Sequence, residues 1–332
     1  MREAREANRP VIAVDLGGSK IAVGIISPRY QILARDRHPT LANEGVDSVI
    51  NRVASVVKQI TSSSGLALSQ VGGIGIAAAG AIDSHEGIIT LSPNLPGWHD
   101  VPLGDIISEE LNVRTWLIND ANAEALGEHH FGIGRGIDNL VYLAVGTGIG
   151  GAIIIDGKLY SGVCGSAGEI GHMTIDSDGP RCECGNIGCF EMLVSGKAMV
   201  REAIERIGRG ERSSLSETVA GRIANITARE IALAAGKGDS LATEVINNAA
   251  TYLGIGLVNL VNIFNPEMII VGGGVASIGD RLLEPARQVV RERAFPVSAA
   301  AVRIVTAELG DDAGLLGTAL FAFNQEQNGE DS

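Results

Sequence analysis

Short apolar runs, rich in valine and isoleucine, recur along the chain: VIAVD at 11–15, KIAVGII at 20–26, GGIGIAAAG at 72–80, RTWLIND at 114–120, LVYLAV at 140–145, AIIID at 152–156 and EMIIV at 267–271. Their length and β-branched content predict buried strands. Between and after them lie segments of helical composition. NAEALGEHHFG follows Asp120 and Ala121 with Asn122 as a candidate N-cap, and CFEMLVSGKAMVREAIERIG runs from 189 to 208. Thr227 and Glu230 have the spacing of a capping box, and a long helix is predicted from about 239 to 263 before Pro266 ends it. Further helices are expected over 279–293 and 313–325, and the polar tail NQEQNGEDS is expected to fray. Strands alternating with helices argue for an α/β architecture.

Glycine adds structure to that pattern. The chain has 44 glycines in 332 residues, and many close the apolar runs. VIAVD leads through LGGS into KIAVGII, and LVYLAV leads through GTGIGG into AIIID, so one strand–glycine turn–strand device occurs twice, about 130 residues apart. This repeat predicts two domains of related topology. We place the boundary just after Asp120, with a smaller domain over 1–121 completed by the helix at about 313–332, and a larger one over 122–312. A third glycine turn, GGGV, covers 272–275.

Composition narrows the class. Forty-five per cent hydrophobic residues exclude a disordered chain, and the glycines have no three-residue period. A net charge of −13 without clustered Lys and Arg speaks against a nucleic-acid partner. The N-terminus MREAREANRP is charged, and Asp15 interrupts the apolar run that follows, so neither a signal peptide nor a membrane span is expected and the setting reads as cytoplasmic.

The glycine turns are candidates for phosphate. Gly146-x-Gly148-x-x-Gly151 has the letter pattern of a dinucleotide loop, but it opens into a strand where that fold requires a helix, and no Walker A pattern is present. Hairpin turns can still present backbone N–H groups to an anion. Gly17, Gly18, Ser19 and Lys20 in the first turn, and Gly146, Thr147, Gly148 and Gly150 in the second, are the candidates. Asp15, at the end of the first strand, is placed to hold a phosphate-bound Mg²⁺ through water.

All four cysteines lie within 26 positions. His172, Cys182, Cys184 and Cys189 offer the ligand set of a closed, structural Zn²⁺ site, with Gly185 and Gly188 to turn the loop. Cys164 is expected to be a packed thiol. Glu169, Glu183 and Glu191 flank the cluster, and a pinned loop would preorganise such carboxylates for a polyhydroxylated ligand.

VIAVDLGGSK, LINDAN, AVGTGIGGAIIIDGKLYSG, GSAGEIGHMTID, CECGNIGCFE and VGGGV, in this order, resemble the ROK family (repressors, open reading frames, kinases), most of all its bacterial glucokinases. The resemblance spans nearly the whole chain. It implies the actin-like, ribonuclease H-related ATPase fold, two related α/β domains around a hinged cleft, and ATP-dependent phosphorylation of the 6-hydroxyl of glucose. It matches Asp120 to the catalytic base, Asn119, Asp120, Glu169, His172 and Glu191 to sugar contacts, and His172 with the three cysteines to zinc. Gly272, Gly273 and Gly274 match the adenosine segment. Ser19 stands where the family usually has threonine, which preserves the hydroxyl. The resemblance also implies a dimer or tetramer. The alternatives are a kinase for N-acetylmannosamine or N-acetylglucosamine, a polyphosphate-using glucokinase, and a sugar-responsive repressor, for which the ten residues before Val11 leave no room for a DNA-binding domain.

Overall fold

The computed structural model describes residues 9–219 and 221–328; the charged start of the chain and the last four residues of the polar tail lie outside the described residues. The described residues divide into two compact units, one within Met1–Gly136, Leu159–Ala167 and Glu308–Ser332, the other within Ile137–Lys158 and Gly168–Ala307.

In the first unit, strands β1 (Val11–Leu16), β2 (Lys20–Ile26), β3 (Ile32–Pro39), β4 (Ile74–Ala78) and β8 (Thr115–Asn119) form a sheet in the order β3-β2-β1-β4-β8. The β1–β2–β3 part is antiparallel, and β4 and β8 run parallel to β1. A second, three-stranded sheet holds β5 (Ala81–Asp83), β6 (Ile88–Leu91) and β7 (His99–Val101). The period of two along β1 and β2 assigns each face. Ile12, Val14, Leu16, Ile21, Val23 and Ile25 pack on the helices Val46–Ser63 and Leu103–Leu111. Val11, Ala13 and Ala22 point the other way, to Leu315, Ala319 and Ala322 of the helix Asp312–Asn328. The helix Asp120–Phe131 lies so close to this last one that a Cβ on Gly317 would fall 1.7 Å from the carbonyl oxygen of Ala123. Only glycine permits that approach, and the tail expected to fray is helical as far as Asn328.

The second unit repeats the order with β9 (Leu140–Val145), β10 (Ile149–Ile155), β11 (Lys158–Leu159), β12 (Met268–Gly272) and β13 (Arg303–Thr306) arranged β11-β10-β9-β12-β13. Again a hairpin comes first, and parallel strands are added on the far side of its first strand. Val141, Leu143, Ile269 and Val271 share a core with Leu253 and Leu257 of the helix Ser240–Phe264 and Leu282 and Leu283 of the helix Asp280–Arg293. The predicted capping box is present: the N–H of Thr227 donates to Glu230 Oε2 at 3.0 Å. The stretch 189–208 is two helices, Glu191–Val194 and Gly196–Gly208, because Ser195 leaves the helical conformation and its hydroxyl caps the second through the N–H of Ala198. No helix among the described residues is long and apolar enough to cross a membrane.

Candidate functional site

In the first unit the register gathers the carboxylates at one edge. Asp15 pairs with Ala77 and Ala77 with Ile118, while Leu16, Ala78 and Asn119 form the next row, so Asp15 and the Asn119–Asp120 pair both emerge at the carboxyl ends of parallel strands. The helix that follows β8 begins at Asp120, not after Asn122. Asn119 is its cap, accepting the N–H of Asn122 at 3.1 Å, because its extended backbone (ψ 144°) puts the amide oxygen over the first turn. The other end of the same amide donates to the carbonyl of Gly80 at 3.0 Å. Asp120 is thereby held at a fixed orientation, its Oδ1 accepting the N–H of Ala121 at 2.9 Å.

Burial raises the pKa of Asp120 above the ordinary carboxylate range, against the hydrogen bonds that lower it. Asp15 is raised to about 6, first by burial and then by the charge of Asp120, with Lys20 and Arg37 opposing. The Gly17–Ser19 turn is closed by the N–H of Gly17 donating to the carbonyl of Lys20 at 3.0 Å. Ser19 and Lys20 are exposed, and the ammonium of Lys20 pairs with Asp311 at 3.0 Å.

In the second unit, two glycine turns meet. Gly272 pairs with Ala144 at the end of β9, and a Cβ on Gly273, which has φ 84°, would lie 2.5 Å from the carbonyl oxygen of Val145. The Gly272–Gly274 turn is therefore seated against the Gly146 hairpin. That hairpin is closed by the N–H of Gly146 donating to Gly148, and it is braced by the N–H of Gly196 donating to Gly146 at 2.8 Å. Glu191 joins the same loop, its Oε2 accepting the N–H of Ile149 at 2.8 Å. Thr147 is exposed, and a Cβ on Gly146 or Gly274 would meet nothing within 4 Å.

The ligand atoms of His172, Cys182, Cys184 and Cys189 all lie within 4.8 Å of one another. Cys182 Sγ is 3.7 Å from His172 Nδ1, and Cys184 Sγ is 3.7 Å from Cys189 Sγ. Thiolates at about 2.3 Å from a tetrahedral ion stand about 3.8 Å apart, so the set suits such an ion. The opposite ring nitrogen, Nε2, lies 3.9 Å from Glu169, the place of a carboxylate that orients a ligating imidazole. Burial and the neighbouring sulfurs push the Cys189 thiol up to about 12, whereas the N–H of Asn186 lowers that of Cys184. Such a cluster ionises fully only beside a cation. Cys164, expected to be packed, is exposed: it sits in the glycine-rich loop 161–168, where its neighbour Val163 is exposed as well and no core forms around the thiol.

With this geometry in view, comparison with known proteins is decisive. Residues 11–325 match the ROK family. The chain belongs to that family. The glucokinase of Thermotoga maritima is 36% identical to this ROK protein over 309 residues, covering 93% of this chain and 96% of the glucokinase. A ROK family glucokinase from Streptomyces griseus, solved in complex with glucose and AMPPNP, is 33% identical and superposes with a TM-score of 0.84, covering 95% of this chain and 99% of that one. The xylose repressor of Caldicellulosiruptor bescii is 33% identical over 92% of this chain and 76% of its own length. The fold is thus the actin-like ATPase fold of the ROK kinases.

The expected residues of this ROK chain are distributed over both units. Asp15, the Gly17–Lys20 turn, Asn119 and Asp120 belong to the first. The Gly146–Gly150 and Gly272–Gly274 turns, Glu169, Glu191 and the His172 and cysteine cluster belong to the second. Two side chains beside Asp15 were not expected, Arg37 and Asp311. The alternation of Arg35 and Arg37 along β3, matched by Asp311 and Asp312, is the signal that points to them.

Proposed function

We propose that this protein transfers the γ-phosphoryl group of ATP to the 6-hydroxyl of glucose, with Asp120 as the base. Its class, an ATP-dependent sugar kinase of the ROK family, stands on near-full-length likeness to glucokinases. The observation that carries the finer reading is the carboxylate of Asp120, fixed at the carboxyl edge of the parallel strands with its proton affinity raised by burial. A base must be positioned and works best with a pKa above the ordinary carboxylate range; the held orientation and the burial of Asp120 support this reading.

In the reaction the sugar oxygen forms a bond to the γ-phosphorus as the bond to ADP breaks, and the hydroxyl proton passes to Asp120. Asn119, Glu169, His172 and Glu191 are proposed as hydroxyl partners that orient the sugar. The N–H groups and hydroxyls of the Gly17–Lys20 and Gly146–Gly150 turns are proposed to receive phosphates, and Gly272–Gly274 to lie along the adenosine. When bound, Mg²⁺ neutralises charge on the transferring phosphates. Asp15 fits such an ion, since a carboxyl raised by burial and by a second carboxylate is returned to its ionised form by a cation. Zn²⁺ on His172, Cys182, Cys184 and Cys189 is proposed as structural, with no ligand position left open. A cytoplasmic dimer or tetramer completes the reading.

A coupled assay over a panel of glucose, mannose, N-acetylglucosamine and N-acetylmannosamine, with ATP and with polyphosphate as donors, tests it. The highest kcat/KM is expected for glucose with ATP. Preference for an N-acetylhexosamine would replace the sugar, and activity without nucleotide would replace the donor. Sugar binding without turnover would move the protein to the repressor side of the family.

A further inference from the structure

Glu128, eight residues after Asp120 in the same helix, is fully buried and has no part in the chemistry above. Its Oε1 accepts the N–H groups of Glu308 at 2.9 Å and Leu309 at 2.7 Å, and its Oε2 accepts that of Ile133 at 3.2 Å. Its backbone carbonyl accepts from Gly132 at 3.1 Å and Gly134 at 3.0 Å. One residue therefore fastens both the glycine-rich run that ends the helix and the segment that leads into the helix Asp312–Asn328.

Two residues past Leu309, Asp311 takes the Lys20 ammonium on Oδ1 at 3.0 Å and the Arg37 guanidinium on Oδ2 at 2.9 Å. Both cations act electrostatically on Asp15, and Lys20 lies two residues before Ala22 on β2, on the same sheet face. Asp15 pairs with Ala22 and Ala22 with Arg37, and cross-strand partners share a face, so the row runs from Asp15 over a small methyl to the arginine. The next helix closes the row, since a Cβ on Gly314 would lie 3.8 Å from the carboxyl of Asp15. A buried carboxylate is costly to desolvate, and here the N–H groups of Ile133, Glu308 and Leu309 offset that cost. What it adds is placement of the three N–H groups it holds.

We propose that Glu128 is a positioning residue for the first phosphate turn: by fixing Glu308 and Leu309 it sets Asp311, and through Asp311 the places of Lys20 and Arg37 beside Asp15. This rests on the reading that the Gly17–Lys20 turn receives nucleotide phosphates.

The test uses the full chain and the variants Glu128→Gln, Asp311→Asn and their combination, assayed below each variant's melting point, with ATP binding followed by calorimetry. Each single variant is expected to raise the KM for ATP about tenfold while the KM for glucose changes less than about twofold. The double variant is expected to be no worse than either single one, since both act through one contact. Equal rises in both KM values, or single losses that multiply in the double variant, would mean that Glu128 is only structural and would overturn the proposal. Asp311 is exposed, so Asp311→Asn carries the test even where Glu128→Gln does not fold: an unchanged KM for ATP there overturns it too. Wild-type protein that neither binds nor turns over ATP would instead remove the nucleotide reading, and this inference with it.

Discussion

The two units use one sheet order and end it differently. Each opens on a hairpin with a glycine turn and adds parallel strands beyond the hairpin's first strand. At the carboxyl edge of the first unit stand two carboxyl groups, Asp15 and Asp120, both raised by burial and the first also by the charge of the second. At the corresponding edge of the second stand glycine turns, and Glu191 there is engaged by a backbone N–H. Topology thus decides where a site is built, and the side chains at the strand ends decide what it does. The first edge holds carboxyl groups whose burial favours the protonated form. The second has open backbone at Gly146 and Gly274 and a loop in which Glu169 and Glu191 flank the His172 and cysteine cluster.

The largest expected effect separates these roles. Asp120→Asn keeps an acceptor oxygen but cannot take the proton, so kcat should fall by about 10²- to 10⁴-fold while glucose binding, read by calorimetry, stays near wild type. A variant that keeps more than about a tenth of the wild-type kcat would dissolve the contrast between the two edges, since the first would then contribute only binding.

Next comes the loop of the second unit. Freshly purified protein should contain one zinc per chain, and Cys184→Ser should lose it, lowering the melting temperature and opening residues 174–189 to protease. The loss is expected to reach several kcal/mol, as for other structural sites. Cys184 is exposed, so the substitution removes a ligand with little packing. Wild-type protein free of any metal, with an intact loop, would end the assignment. A sharper outcome concerns the first edge: Cys184→Ser should leave its pH response unchanged.

Much of this was legible in the residues, for reasons that differ by region. The repeated strand–glycine–strand device is local, so β1–β2 and β9–β10 follow from alternation and turn chemistry, and the gathering of His172 with Cys182, Cys184 and Cys189 follows from their spacing. β3 gives no strand signal because none of ILARDRHP is buried, and only pairing with β2 makes it a strand. Asn119 and Asn122 both suit a cap by residue type, and only the extended backbone at 119 makes it the cap in place of the expected Asn122. The Arg37–Asp311 contact joins residues 274 positions apart. Its local trace is the Arg35–Arg37 alternation, which does not name the distant partner. Glu128 likewise reads as one more helical glutamate until Glu308 and Leu309 are seen to donate to it.

The smallest effect tests whether the first edge is as dry as its carboxyl groups imply. The pKa of Asp15 is about 6 in the folded chain against an unfolded value of 3.8. The folded state therefore binds the proton more tightly, and between these values the unfolded state carries fewer protons. Stability from this group is full below the unfolded value and is lost as pH rises through the folded one. The full shift corresponds to roughly 3 kcal/mol, and partial exposure of Asp15 should reduce it to about 1–2 kcal/mol. Asp15→Asn cannot titrate, so without nucleotide or Mg²⁺ its stability relative to wild type should improve from pH 4 to pH 7 by that amount, as measured by denaturant unfolding at several pH values. Parallel curves for the two proteins would show that Asp15 ionises like a surface carboxyl, and the difference between the two edges would then rest on Asp120 alone.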